Sequence, residues 1–336
     1  MRSPPVVSVV IATRNRAPLL ARTLGALEAQ DFDRDQFEVL VADNGSGDDT
    51  PAVLESFARR SDACTVRYLH VAAAGKSRAV NAALRDAHGD IVAFTDDDVL
   101  PNRSWLAHVA RAFDDPGIDF VAGRILPEWE AEPPPWISPA LFGVLAISDG
   151  GAVRLPIARG LNTHIMPIGA NMAVRSRVLR QLGGLREDLG KLEGTLRTGE
   201  DHEFFLRLLH HGYCGLYEPG AMVQHWVPRA RLHRGYFRRW LYQNGRDVAR
   251  LERTFPWGGR RLLGVRRYRW REAARATSAF LTAVITRAAD RRFAASLHLI
   301  WLAGYARETW FGPRNGSRAS GPKSETAERI AGVIEW

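Results

Sequence analysis

Two acidic clusters in this chain have the make-up of reaction chemistry. Asp96, Asp97 and Asp98 stand in FTDDDV, directly after the apolar run Ile91-Val92-Ala93-Phe94. A strand that buries itself and then ends in three adjacent carboxylates has gathered like charge, which calls for a cation or for solvent. The plain alternative is a solvated turn, or an N-cap for a helix starting near Pro101. The second cluster is Glu200-Asp201 in GEDHEFFLRL. A helix N-terminus explains it through the dipole alone, and that placement is compatible with a catalytic base. Asp43 closes a further apolar run in FEVLVADNGSGDDT, where an Asx turn with Asn44-Gly45 is the local explanation. Lys76 and Arg78 precede or open a helix, where solvation is the simple account. His225 follows Ala221-Met222-Val223 in VQHW; a lone histidine there is more often structural than a ligand.

The elements that must carry these residues are legible from periodicity. Val6 to Ala12 is a continuous β-branched run, as a strand buried on both faces should be. From Ala17 to Gln30 the leucines at 19, 20, 24 and 27 have helical spacing. Phe37 to Ala42 reads as a second strand, Thr50 to Arg60 as a helix and Thr65 to Val71 as a third strand. Lys76 to Ala87 is a third helix, and Ile91 to Thr95 a fourth strand. This alternation predicts a parallel sheet with helices on both faces, in which ligands sit beyond the carboxyl ends of the strands. The polar groups Thr13 to Arg16, Asp43-Asn44 and Asp96 to Asp98 all fall at those ends. The first turn, TRNRAP, has no glycine, and there is no P-loop lysine, so neither common nucleotide-binding signature is present.

Seven segments in order carry a resemblance: VSVVIATRNRAPLLARTL, EVLVADNGSGDDT, GKSRAVNAAL, GDIVAFTDDDV, GANMAVR, GEDHEFFLRL and the HW of VQHWVP. Together, over about residues 6–245, they resemble the family 2 glycosyltransferases, inverting enzymes of GT-A fold. The resemblance implies an α/β architecture with a mostly parallel, Rossmann-like sheet flanked by helices, followed here by a C-terminal helical extension. It implies transfer of a sugar from a nucleotide-sugar donor, expected to be UDP-linked, to an acceptor hydroxyl, with Mn²⁺ or Mg²⁺ as cofactor. Asp98 is the first choice of metal ligand and Asp97 the second, with His225 as a third. Asp96 is expected to face the ribose and Asp43 the nucleobase, with Thr13 and Arg16 lining the same pocket. Lys76 and Arg78, with Asn81 as a weaker neighbour, would reach the nucleotide and its phosphates. Gly169-Ala170-Asn171-Met172 would floor the donor sugar. Asp201 would be the base that deprotonates the acceptor, its pKa raised by Glu200. Trp129, Trp136 and Trp226 are candidates for stacking on sugars, core packing being the default.

Composition adds a division of labour. Of 336 residues, 46% are hydrophobic and 25% charged, which is globular composition. Two cysteines, Cys64 and Cys214, make neither a disulfide framework nor a metal cluster and fit a reducing, cytoplasmic compartment. No leader peptide is expected from the start of the chain. Residues 1–228 carry 23 Lys and Arg against 29 Asp and Glu, a net of −6, whereas 229–336 carry 23 against 8, a net of +15. The expected organisation is therefore a GT-A nucleotide-sugar-binding and catalytic domain over 1–228, a basic helical subdomain over 229–312 and a mobile tail over 313–336. The basic part holds two apolar stretches, Ala276–Thr286 and Phe293–Ala306, each too short to span a bilayer. Its arginines could stand in water around a helical subdomain. They could instead meet anionic headgroups at the inner face of the membrane, with Trp301, Tyr305 and Trp310 in the interfacial layer, or serve the donor diphosphate, Arg231 being one candidate. Transmembrane helices and the Gln-x-x-Arg-Trp element of processive synthases are absent, so one transfer per encounter is expected. Two readings of other classes stand beside this one. A non-catalytic nucleotide- or carbohydrate-binding module of the same fold would not need the retained acidic pairs. A basic nucleic-acid-binding protein would need a recognition motif that the basic segment lacks, so no nucleic acid is expected as a partner.

Overall fold

A computed structural model describes residues 5–60, 64–192, 194–254 and 260–313. The chain divides into two compact units. The first comprises the described residues through Glu130, those from Leu145 to Leu192, and Glu200–Val227. Its amino-terminal half alternates strictly. β1 (Val7–Thr13), β2 (Phe37–Asp43), β3 (Thr65–His70) and β4 (Ile91–Asp96) are separated by α1 (Ala17–Glu28), α2 (Thr50–Ala58) and α3 (Lys76–Asp86). β2 is buried at every position and β1 at all but one, as their unbroken apolar runs require. The strands pair in parallel in the order β3-β2-β1-β4. The chain leaves β1 toward one side and returns on the other, so a switch point opens between β1 and β4, where doubly wound sheets bind ligands.

Past β4 the sheet changes character. β5 (Val99–Pro101), β6 (Phe120–Trp129), β7 (Leu155–Ile157), β8 (Asn171–Arg175) and β9 (Gly215–Val227) join it, with α4 (Trp105–Ala112), α5 (Ser176–Leu182) and α6 (Glu200–His210) between them. The order continues β4-β8-β6-β9-β5, and β7 pairs with β9. β8 runs antiparallel to both β4 and β6, while β6 and β9 are parallel to each other. Little of this antiparallel part is foreshadowed by the sequence, because 120–170 is rich in proline and short of periodic runs. The core of the unit is aliphatic, with Trp105, Leu106 and Val109 of α4 sealing it.

The second unit comprises Ala131–Val144, Gly194–Gly199 and the described residues from Pro228. It is built on α7 (Arg234–Thr254), a two-stranded hairpin of β10 (Arg261–Leu262) and β11 (Val265–Arg266), α8 (Arg267–Ile285) and α9 (Ala289–Phe311). The two short upstream segments belong here for identifiable reasons. Trp136, half-buried, meets Phe237 and Phe293 edge-on at 5.0 Å each, which ties its segment to this unit. The Thr198 amide donates to the buried Asp247 carboxylate. α7 and α9 cross at Gly245 and Gly304, where any Cβ would overlap the Trp301 or Tyr242 carbonyl oxygen. Trp301 and Tyr305, expected at a membrane interface, are 2% and 1% exposed and stack on each other at 5.6 Å with Arg269 over them. Only Trp310 of that trio is exposed. Many arginines are also accounted for internally: Glu308 accepts bonds from Arg246, Arg250 and Arg253, and Glu252 from Arg266 and the Tyr305 hydroxyl. Among the described residues no helix is long and apolar enough to cross a membrane. The segment expected to be a mobile tail lies, from 314 on, outside the described residues.

Candidate active site

The carboxyl ends of β1, β2 and β4 bring the first acidic cluster together. Thr13 stands opposite Asp43 in the register, and Asp96 opposite Ala12. The loop after β1 folds back without glycine because Asn15 takes the left-handed conformation, φ 51°, which asparagine tolerates. Its side-chain oxygen accepts from the Gly47 amide, tying the first loop to the second. The turn at Asp96–Asp98 is fixed from beneath by the Thr23 hydroxyl of α1, which hydrogen-bonds to the carbonyls of Asp97 and Val99.

Asp97 and Asp98 are 4% and 5% exposed, and a guanidinium lies between them. Arg16 Nη1 reaches Asp97 Oδ1 at 2.8 Å and Asp98 Oδ2 at 2.7 Å. The Thr13 hydroxyl donates to Asp97 Oδ2 at 2.7 Å. Burial pushes the Asp97 carboxyl up to about 6, against the pull of Arg16, with Asp98 adding to the rise. His225 arrives from a distant part of the chain because β5 pairs antiparallel with β9, setting Val99 opposite His225. Its Nε2 lies 3.5 Å from Asp98 Oδ1.

These contacts test a divalent metal. Two ligands at a right angle on an octahedral Mg²⁺ or Mn²⁺ stand about 3 Å apart, so Asp98 Oδ1 and His225 Nε2 fit as neighbouring donors. Oxygen and imidazole nitrogen also suit either ion. Asp97, the expected second ligand, has both its oxygens in bonds from Thr13 and Arg16. Among the described residues no three His, Cys, Asp or Glu side chains form a ready metal cage. Any ion held here needs further oxygens from a ligand it accompanies.

The second cluster lies at the start of α6, and a lysine joins it to the first. Lys76 Nζ is 2.5 Å from Asp96 Oδ1. Burial works against the charge on Lys76, but Asp96, Asp201 and Glu200 outweigh it and hold the ammonium above its usual range. Its place is thus among carboxylates. Asp201 Oδ2 accepts the Gly169 amide at 2.9 Å, and a Cβ at Gly169 would crowd Oδ1. Burial raises the Asp201 carboxyl, with Asp96 adding to the rise and Lys76 opposing it. Glu200 is pushed up to about 7 by burial and by Asp201.

The remaining expected residues are distributed as follows. Asp43, 1% exposed, caps its own turn: Oδ1 accepts from the amide and hydroxyl of Ser46, and Oδ2 from the Tyr68 hydroxyl. Arg78 is partly exposed on α3 and bonds the Ala74 carbonyl. Asn81 is committed to the Leu185 backbone. Asn171, expected in the floor beneath the donor sugar, is 2% exposed and engaged within the sheet, accepting from Trp105 Nε1 and donating to the carbonyls of Arg124 and Ala221. Trp129 and Trp226 are half-buried in the first unit, whereas Arg231 belongs to the second. His202, next to Asp201, was not singled out by its sequence context. Burial holds its imidazole neutral, with a pKa of about 4.

Comparison with known proteins gives the family. The model described as glycosyl transferase family 2 matches residues 8–182. A pre-mycofactocin glycosyltransferase of Mycobacterium tuberculosis is 32% identical over 236 residues, covering 70% of this chain and 44% of that protein. The chain thus spans under half the length of that relative. Among solved structures, the mannosyltransferase PcManGT from Pyrobaculum calidifontis, in complex with GDP-Man and Mn²⁺, superposes with a TM-score of 0.63 at 22% identity. That match covers 92% of this chain and 88% of the other. Residues 1–349 of S. aureus TarS, in complex with UDP-GlcNAc, give 0.51 at 20% identity over 73% of this chain and 66% of that one. Both likenesses are of fold, the GT-A fold.

Proposed function

The chain belongs to glycosyl transferase family 2, and from that premise we propose that it is a metal-dependent inverting glycosyltransferase, moving one sugar per encounter from a nucleotide-sugar donor to an acceptor hydroxyl. The observation that carries this reading is the pair of buried acidic clusters joined by Lys76, one beyond the switch point of the sheet and one at the start of α6. Asp98 and His225 would hold a divalent ion, Mn²⁺ or Mg²⁺, beside the donor diphosphate. When bound, that ion neutralises charge that grows on the departing diphosphate. Arg16, which bridges Asp97 and Asp98, and the Thr13 hydroxyl on Asp97 hold the two carboxylates in place. Asp96, paired with Lys76, faces the ribose, and Asp43 shapes the nucleobase pocket through its turn.

Asp201 takes the proton of the acceptor hydroxyl as that oxygen attacks the anomeric carbon from the face opposite the diphosphate. The Gly169 amide aims the carboxylate. Burial raises its basicity toward the working pH. Inversion follows from a single displacement, so no covalent nucleophile is needed. The solved neighbours carry GDP-Man in one case and UDP-GlcNAc in another, so both nucleotides belong in the test. Titration calorimetry should detect UDP or GDP binding with Mn²⁺ present. Affinity should be lost with EDTA and in Asp98→Ala. Equal affinity with and without the metal would remove the metal-bound donor from this account.

A further inference from the structure

The second unit contains a surface that its own packing does not explain. α8 buries a stripe spaced by seven, Arg269, Ala276 and Ala283. Its outward side is not uniformly polar. Trp270, Leu281 and Ile285 share one face by their spacing, and Ile285 is 81% exposed. Beside that row runs a second at steps of four, Arg267, Arg271 and Arg275, all exposed. None of these three arginines is ion-paired with a carboxylate among the described residues, unlike those gathered on Glu308 and Glu252. A surface helix ordinarily turns its polar residues outward; this one turns apolar and cationic rows out side by side.

The hairpin of β10 and β11 extends the same patch. Its two turn residues, Leu263 and Gly264, both have left-handed backbones, φ 51° and 79°. Such a two-residue turn favours Asn-Gly. A leucine there is strained, and at 71% exposure it gains no burial in return. The tip is nonetheless held firmly: Trp270 Nε1 donates to the Leu262 carbonyl at 3.2 Å, and Trp310 Nε1 to the Leu263 carbonyl at 2.8 Å. The two indoles lie 6.5 Å apart, with Phe311 beyond them at 77% exposure. The result is a rigid apolar edge with tryptophans at its base and unpaired arginines along its flank.

We propose that this edge of the second unit docks on a bilayer carrying anionic headgroups. Leu263, Phe311 and Ile285 enter the acyl boundary, and Trp270 and Trp310 sit at headgroup level, where amphipathic rings are favoured. Arg267, Arg271 and Arg275 meet the headgroup charge. The charge complementarity selects an anionic lipid surface over a second copy of this basic unit. The contact is peripheral, consistent with helices too short of apolar residues to cross. It stands independently of glycosyl transfer, because its readout is binding.

The test is flotation of the full chain with vesicles of phosphatidylcholine alone or with phosphatidylglycerol, at low and raised salt. Binding should rise with the anionic lipid and fall with salt. Each arginine near the surface contributes a factor of roughly five, so reversing all three to glutamate should lower partitioning by on the order of a hundredfold or more. Leu263→Asn supplies the residue the turn prefers, so it should leave the melting temperature unchanged or raised and still weaken vesicle binding. Three outcomes would overturn the proposal. They are a protein that stays unbound on every vesicle, equal binding to the two vesicle types, and a dimer in light scattering that Leu281→Ser and Ile285→Ser dissolve, which would make a second copy the occupant.

Discussion

At the scale of single residues, the site is a chain of charges in which each position modifies the next. Lys76 connects Asp96 to Glu200 and Asp201. The consequence is a pH dependence whose sign is fixed. Burial raises the Asp201 carboxyl, with Asp96 adding to the rise, so the base takes a proton, and is blocked, at a higher pH than an ordinary aspartate. The ratio kcat/KM should therefore fall as pH drops, with an acid limb above the usual carboxylate range. Lys76→Met removes the cation that opposes this rise, so the limb should move to higher pH. A limb that stays in place or moves down would show that Lys76 does not govern the base. Asp201→Asn should remove most turnover, on the order of a hundredfold or more, with donor affinity kept. The acidic residues themselves were visible in the sequence, since carboxylates after an apolar run are conspicuous. Their pairings were not: Arg16, Lys76 and Gly169 were expected around the donor, and the fold brings them onto the carboxylates across long separations.

Among the elements, β8 and β9 carry what the sequence disclosed least. The repeating β-α units announced themselves through β-branched runs and helical leucine spacing, and their ends agree with the observed ones within about two residues. Strands β6, β8 and β9 did not, because strand pairing is a long-range choice that local pattern does not encode. Asn171 shows the difficulty. In GANMAVR it resembles a donor-facing residue, yet its side chain braces β8 to the Arg124 and Ala221 carbonyls and to the Trp105 indole. Asn171→Ala would remove these bonds from the buried Trp105 indole and Ala221 carbonyl and from the part-buried Arg124 carbonyl, each at about 1–3 kcal/mol before relaxation. We expect a net loss of about 2–4 kcal/mol in chemical denaturation. A variant of unchanged stability but altered donor affinity would return Asn171 to the sugar.

For the whole molecule, the division of charge between its two parts was countable from the sequence, but its use was not. A net of +15 says nothing about which arginines are committed. Glu308, fully buried, collects Arg246, Arg250 and Arg253. Burial alone would raise its pKa, but those arginines outweigh burial and hold it below the ordinary value of 4.5. Its contribution to stability is thus present in full above pH 4.5 and is lost as the pH falls through the lowered value. Glu308→Gln should destabilise the second unit by about 3 kcal/mol, the low end for breaking a buried pair because the arginines can relax toward water. It should also flatten the acid dependence of melting. A wild-type and variant that melt alike at neutral pH would assign the cluster no net stabilising role.

The crossing of α7 and α9 at Gly245 and Gly304 constrains how this chain can vary in length. One residue inserted into a helix turns everything beyond it by about 100° and advances it by about 1.5 Å. Within α7, an insertion between Gly245 and Glu252 would keep the crossing but swing Glu252 away from Arg266 and Tyr305. Placed between Tyr242 and Gly245, it would present a side chain to the Trp301 carbonyl. The two helices are in this sense indexed to each other, like a key cut to a fixed depth. Insertions and deletions that preserve the fold should collect in the connections outside 234–254 and 289–311, leaving the length of both helices fixed while their outward residues drift.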